Sequence, residues 1–273
     1  MAENAGGPPG VERRTKPAHE SRCGSDESTL PMASQPLLLT HIGGPTALIE
    51  FGGVRLLTDP TFDPAGGEYP SGSAKLRKLS EPALSPATVG LLDYVLLSHD
   101  HHFDNLDRTG RSLLSSAKAT LTTEEGAGRL GGNSIGLKAW QSMTLPTRNG
   151  PVLRVVATPA RHGPQGRDRG AVIGFVVSIV DAPDQGIYFS GDTVWYEGVA
   201  EVARRYTPRA ALLNLGAASV PEVGPFHLTM TAREAVEAAR ALSAPLLCHC
   251  ILKAGRTLPK AGRRSPKRLL PPI

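Results

Sequence analysis

Ten consecutive residues carry the densest chemistry in this chain: Ser98-His99-Asp100-His101-His102-Phe103-Asp104-Asn105-Leu106-Asp107. Imidazole and carboxylate are the ligands that zinc, manganese or iron take when a site must keep a position open for water. Three histidines within four residues, with Asp104 close behind, therefore point to a metal centre. The plainer reading is a polar helix start with Asp104 as its cap and the histidines in solvent; it suits one isolated histidine better than three. Two further candidates lie downstream. His162 follows Thr158-Pro159-Ala160-Arg161, and Asp192 follows Phe189-Ser190-Gly191. By residue type alone Asp192 reads equally well as a turn residue, because Gly-Asp pairs make turns. His41 could line the floor of a site. His227, in the loop before a capped helix, stands within reach of either substrate or solvent. Trp195-Tyr196, close to Asp192, reads as a pocket wall or as core.

The elements that must position these groups are legible in outline. Asp93-Tyr94-Val95-Leu96-Leu97 is a short apolar run of the kind that forms a buried strand, so the histidine cluster sits where a strand gives way to a loop. Upstream, strands are expected over 37–41, 46–51 and 54–59, the last two joined by the two-residue turn Gly52-Gly53. Pro60 stops the ladder because it has no N–H to give. Residues 63–88 read as loop. A short helix is expected over 106–115, a strand and helix over 117–132, and strands over 152–157, 171–180, 186–190 and 210–215. Thr231-Ala232-Arg233-Glu234 is a capping box opening a helix that runs to about Leu242. Strands lead, helices alternate late, and polar residues recur at strand ends, which is the layout of a layered α/β protein.

At 273 residues, 40% hydrophobic and 20% charged, the chain suits one sizeable domain with tails. The expected organisation is a disordered tail over 1–36, a domain over 37–247, and an atypical basic segment over 248–273. No run approaches the length of a membrane span, and residues 1–36 contain no apolar signal core. Three cysteines, Cys23, Cys248 and Cys250, form no disulfide framework, which suits the cytoplasm. The net charge of +5 misleads: from Cys248 onward there are seven Lys or Arg and no acid, leaving about −2 for the rest. A nucleic-acid partner is therefore not expected.

On five pieces in order, the sequence resembles the metallo-β-lactamase-fold hydrolases, in the branch of the ascorbate-6-phosphate lactonases and the N-acylphosphatidylethanolamine phospholipases D. These are Thr40-His41-Ile42-Gly43-Gly44 with the Leu57-Thr58-Asp59-Pro60 strand end, Ser98-His99-Asp100-His101, Thr158-Pro159-Ala160-Arg161-His162, Phe189-Ser190-Gly191-Asp192-Thr193, and Asn214-Leu215-Gly216-Ala217. The resemblance implies an α/β fold, an αββα four-layer sandwich. It implies that His99, His101 and His162 hold a first metal, that Asp192 bridges, and that Asp104 serves a second. The family pattern His-x-His-x-Asp-His is broken here. One residue is inserted before Asp104, so His102 can stand in for His101, and Asn105 replaces the final histidine, offering only a weak carbonyl oxygen. One or two Zn2+ ions are implied, with Mn2+ or Fe2+ as substitutes.

The resemblance also implies a last strand ending in a histidine, in a pattern such as Pro-x-His-x-Glu-Gly-Trp-x-His-Phe. The chain instead reads Cys248-His249-Cys250-Ile251-Leu252-Lys253. If each codon's third base is regrouped with the first two of the next, Leu247 to Gly262 can encode Val-Pro-Leu-His-Ser-Glu-Gly-Trp-Thr-His-Phe-Ala-Glu-Gly-Arg. The expectation is a frameshift near codon 247. His249 then stands two positions, about 6.6 Å, short of the implied ligand. A genuine basic tail with Cys248-His249-Cys250 as a small metal or redox element is the alternative.

The function expected is hydrolysis of a small ester, lactone or phosphodiester by a metal-activated water, with Asp104 and Asp192 orienting that water and carrying its proton. No phosphate-cradling glycine loop with a following lysine is present. The alternative is a catalytically impaired relative that acts as a binding protein, for which Asn105 and the tail argue.

Overall fold

A computed structural model describes residues 36–71, 74–147, 150–251 and 258–259. Residues 1–35, most of the segment expected as a tail, lie outside it, as do 252–257 and 260–273, where most of the expected frameshift product falls. The described residues belong to the unit Gln35–Ile273.

Two six-stranded sheets face each other, with helices on both outer sides: an αββα four-layer sandwich. The first sheet runs, in spatial order, Leu37–Gly43, Thr46–Phe51, Val54–Thr58, Tyr94–Leu96, Ala119–Thr123 and Ser134–Leu137. The second runs Leu246–Ile251, Ala210–Leu215, Ala182–Phe189, Ile173–Ile179, Leu153–Pro159 and Ser142–Leu145. The Gly52-Gly53 turn closes its hairpin with Phe51 paired to Val54. Both glycines have positive φ (58° and 76°), the handedness that two-residue hairpins demand.

Side-chain alternation sorts each strand between layers. Leu96, Leu121, Phe175, Phe189 and Leu212 point into the space between the sheets. Val176, Tyr188, Ala211 and Leu213 face the helices Glu197–Arg205 and Ala232–Leu242. Leu57, Val95 and Leu97 meet the other helical layer. Each fully buried Leu or Phe contributes about 1.5–3 kcal/mol by leaving water. The expected capping box is present: the Thr231 hydroxyl accepts from the Glu234 amide, and the Glu234 carboxylate from the Thr231 amide.

Several elements go beyond the sequence expectation, the strand Ser134–Leu137 among them. The helix Glu197–Arg205 buries Val199 and Val202 and pairs Arg204 and Arg205 with Glu201 on its outer face. Ser142–Leu145 edges the second sheet. Within the supposed loop 63–88, Glu68–Ser71 and Ala74–Arg77 form a hairpin. The last strand, Leu246–Ile251, lies parallel to Ala210–Leu215, places His249 opposite Leu213, and runs past residue 247.

Topology gathers the polar strand ends. Val54–Thr58 and Tyr94–Leu96 are parallel, so Asp59 and Ser98-His99 emerge together. Leu153–Pro159 and Ala182–Phe189 are both antiparallel to Ile173–Ile179 and so share a direction. Ala210–Leu215 is parallel to Ala182–Phe189. His162, Asp192 and Asn214 therefore collect at one edge.

Candidate metal centre

The imidazoles brought together are those of His99, His102 and His162, whose ligand atoms all lie within 4.8 Å of one another. His99 Nε2 stands 3.0 Å from His102 Nδ1. Two ligands about 2.0–2.1 Å from a tetrahedral ion would stand only slightly farther apart. His101, expected as the middle ligand, does not join them. Its Nε2 donates to the Arg169 carbonyl at 2.7 Å, the side chain is partly exposed, and its ring rests against Gly170. The reason is the residue inserted in the loop. It brings His102 round to face His99, and His101 turns toward an acceptor supplied by the loop 163–170.

Hydrogen bonds orient two of the three rings. His162 Nδ1 lies 3.1 Å from the Leu228 carbonyl, which can only accept, so the proton sits on Nδ1 and the Nε2 lone pair is free. His99 Nδ1 meets Ser98 Oγ at 2.9 Å, and that hydroxyl donates to Asp59 Oδ2 at 2.7 Å. The Ser98 oxygen is thus left to accept from His99, freeing its Nε2. Burial pushes all three imidazoles well below the ordinary histidine value, with mutual repulsion of the rings adding to it for His99 and His102; His162 falls to about 4. They are neutral at physiological pH, the form that ligates metal.

The carboxylates complete the donor set. Asp192 is fully buried; its Oδ1 accepts from Asn214 Nδ2 at 2.8 Å, while its Oδ2 has no hydrogen-bond partner and lies 3.8 Å from His162 Nε2. An unpartnered buried carboxylate oxygen beside three neutral imidazoles fits a cation. Burial raises Asp192 to about 6 and, with the Asp192 charge adding, Asp104 to about 6 as well. A cation among them would draw both values down again.

Two of the expected site residues, His41 and His227, lie elsewhere. His41 is exposed and bonds the Gly44 carbonyl of its own turn at 3.0 Å. His227 pairs with Glu234 at 2.9 Å, at the mouth of the capped helix. His249 occupies the last strand. Asn105 is fully buried in the centre.

Three polar residues stand in the centre without having been read from sequence as site residues. Asp59 is buried with φ 25° and accepts from Ser98 N at 2.6 Å, Ser98 Oγ and Asn105 Nδ2 at 2.8 Å. Burial raises its carboxyl to about 8 despite these bonds. Asp59-Pro60 looks like a plain strand stop; its signals were the recurrence of polar residues at strand ends and its place in one of the five pieces that carry the resemblance. Ser98 and Asn214 are the others. Asp100, between the histidines, instead binds Arg129 with both oxygens and anchors the loop. A cavity of about 430 Å³ is lined by Lys138, Arg161, Asp168 and Gly170 among others, and by none of His99, His102, His162 and Asp192.

Comparisons with known proteins bear on the family and the fold. Residues 54–249 match a family described as the beta-lactamase superfamily domain. A UPF0173 metal-dependent hydrolase of Caldivirga maquilingensis is 28% identical over 210 residues, covering 73% of this chain and 75% of that protein. The N-acyl-phosphatidylethanolamine-hydrolyzing phospholipase D 1 of Caenorhabditis elegans is 25% identical over 160 residues, covering 51% of this chain and only 44% of that protein. The isothiocyanate hydrolase from Delia radicum gut bacteria superposes with a TM-score of 0.65 at 21% identity, covering 81% of this chain and 87% of that one. The chain thus belongs to the beta-lactamase superfamily, as a metal-dependent hydrolase of the metallo-β-lactamase fold.

Proposed function

We propose that this protein hydrolyses a small ester, lactone or phosphodiester, and that His99, His102, His162 and Asp192 hold its metal ion. The observation that carries the reading is the convergence of three neutral imidazoles on an unpartnered Asp192 oxygen. The nitrogen-rich donor set favours zinc, with iron or manganese as alternatives, over magnesium. A bound ion of this kind lowers the pKa of water toward about 7 and polarises the carbonyl or phosphoryl oxygen under attack.

The chain's own groups do the rest. Ser98 and the Leu228 carbonyl hold the rings of His99 and His162 with Nε2 inward. Asn214 holds Asp192 by one oxygen and leaves the other toward His162. Asp104, partly buried beside the cluster, is suited to take the proton of the attacking water and return it to the leaving oxygen. The segments 63–88 and 217–230 are proposed to shape access to the centre. Among the described residues no helix is long and apolar enough to cross a membrane.

A second reading, a binding relative without turnover, rests on Asn105, which withholds an imidazole from the centre. Elemental analysis of the full chain purified without added metal or chelator, followed by assays on ester, lactone and phosphodiester panels, separates the two. Bound metal with turnover supports the hydrolase. Bound metal without turnover on any panel favours the binding relative, and a folded protein holding no metal overturns both the ligand assignment and the mechanism.

A further inference from the structure

The turn that carries His102 is held from outside the two large sheets. Residues 99–107 contain neither strand nor helix, and the His102 carbonyl accepts from the Asn105 amide at 3.2 Å and the Leu106 amide at 3.0 Å. These bonds fold the chain into one tight turn, with Phe103 between His102 and Asp104. Leu106 is buried in the core and Asn105 Nδ2 bonds Asp59, so the inner limb of the turn is fixed. On the other limb the Phe103 ring lies on the Tyr69 ring, with centroids 4.9 Å apart and planes 22° from parallel.

Tyr69 belongs to the hairpin of Glu68–Ser71 with Ala74–Arg77. It is buried while Glu68 and Pro70 on either side are exposed, the alternation of a strand that covers something with one face. Its hydroxyl donates to Asp63 Oδ2 at 2.8 Å. The Asp63 amide donates to Asp107 Oδ2 at 2.6 Å, and Lys78 Nζ reaches the same oxygen at 3.2 Å. Arg108 lies over both rings, its Cζ 5.2 Å from the Tyr69 centroid and 5.6 Å from that of Phe103. Hairpin, Asp63 and the start of the helix Arg108–Leu113 thus form one tied unit that meets the turn at Phe103. A ligand presented on a loop is only as well placed as the side chains packed behind it.

We propose that Tyr69 is a positioning residue for the metal centre: by stacking on Phe103, the hairpin holds the turn that presents His102 and Asp104. This inference rests on the proposed metal centre and deepens it, adding a support that the two large sheets do not supply. Without the stack the turn keeps its own backbone bonds and loses the contact that sets its tilt.

The test uses the full chain and zinc alone as probe. Zinc affinity, read by competition with a chromophoric chelator, and urea unfolding of the zinc-free protein are measured for wild type, Tyr69→Phe, Tyr69→Ala, Phe103→Ala and the double Ala variant. Tyr69→Phe keeps the stack and loses the Asp63 bond, so stability is expected to fall while zinc affinity stays at the wild-type value. Tyr69→Ala and Phe103→Ala are each expected to weaken zinc about tenfold, and the double variant no further. Cobalt-substituted protein adds a signature that a loss of stability alone would not give: the paramagnetically shifted ring N–H signal of His102 should move in Tyr69→Ala, while those of His99 and His162 hold. Unchanged affinity in both folded Ala variants, additive losses in the double variant, or Tyr69→Phe as weak as Tyr69→Ala would overturn this inference and leave the hydrolase reading standing. If Tyr69→Ala does not fold, Phe103→Ala, at a half-buried position, carries the same comparison against Tyr69→Phe. No zinc bound by wild type would sink the metal centre itself, and this inference with it.

Discussion

The Ser98 hydroxyl joins the buried Asp59 carboxylate to the His99 ring, 2.7 Å from Asp59 Oδ2 and 2.9 Å from His99 Nδ1. Among the described residues this hydroxyl is what joins Asp59 to the His99 ring, and it sets which hydrogen-bond role Nδ1 takes. Ser98→Ala removes the link while keeping the backbone N–H bond to Asp59 Oδ1 at 2.6 Å. Zinc affinity should fall about 10–100-fold, as is usual when a partner behind a ligand is lost. A competition titration against a chromophoric chelator reads this, and unchanged affinity would refute the relay.

The two neighbouring histidines should separate cleanly. His102→Ala is expected to lose the bound ion, because its nitrogen lies 3.0 Å from His99 Nε2. His101→Ala should keep it, because that ring is spent on the Arg169 carbonyl. Metal content of the two purified variants decides the matter; the reverse pattern would restore His101 as the ligand.

Gly191 is a structural requirement of the Asp192 turn. Its φ is 59°, and a Cβ there would meet the Ile173 carbonyl oxygen and Ser98 Cβ, each at 2.7 Å. Gly191→Ala adds a left-handed strain to an overpacked contact, and a loss of about 2–4 kcal/mol in unfolding free energy is expected. Urea denaturation measures it. Stability within 0.5 kcal/mol of wild type, a range usual for neutral surface changes, would mean that the turn has room.

Away from the centre, Asp63 predicts an acid-sensitive contribution. Burial alone would raise its carboxyl, but the Thr109 hydroxyl and amide, at 2.6 and 2.9 Å, and the Tyr69 hydroxyl, at 2.8 Å, outweigh it and hold the group below the ordinary value. A carboxyl depressed in the folded state stabilises above its unfolded pKa, near 4, and loses that contribution as pH falls through the folded value. Asp63→Asn should therefore cost about 1.5–3 kcal/mol at pH 7, with the gap to wild type narrowing below about pH 4. Denaturation curves at both pH values test the sign, and a gap that widens in acid would contradict it.

Much of the architecture was legible because local rules and tertiary packing agreed. Alternation in Thr46–Phe51, the Gly52-Gly53 turn and the Thr231 capping box each produced the element expected. The hairpin Glu68–Ser71 with Ala74–Arg77 was hidden because Pro70 and the neighbouring glycines read as loop. Side chains at its edges tie it down: Tyr69 bonds Asp63, six residues back, and Lys78, just after the hairpin, bonds Asp107, 29 residues on. The role of Asp59 was hidden for a related reason. A single Asp before a proline carries no period, and its meaning comes from Ser98 and Asn105, 39 and 46 residues away.

By itself, the sequence determined that a strand would deliver a histidine-rich loop, that further polar residues would stand at other strand ends, and that the chain would build layers of strand and helix. These follow from side-chain period and residue type, which are properties of short segments. Only the tertiary structure decided that His102 faces the cluster and His101 does not, and that Asn105 gives its nitrogen to Asp59. Neighbouring residues in a loop have no fixed period, so the direction of each was settled by distant partners: for His101, the Arg169 carbonyl, 68 residues further along the chain.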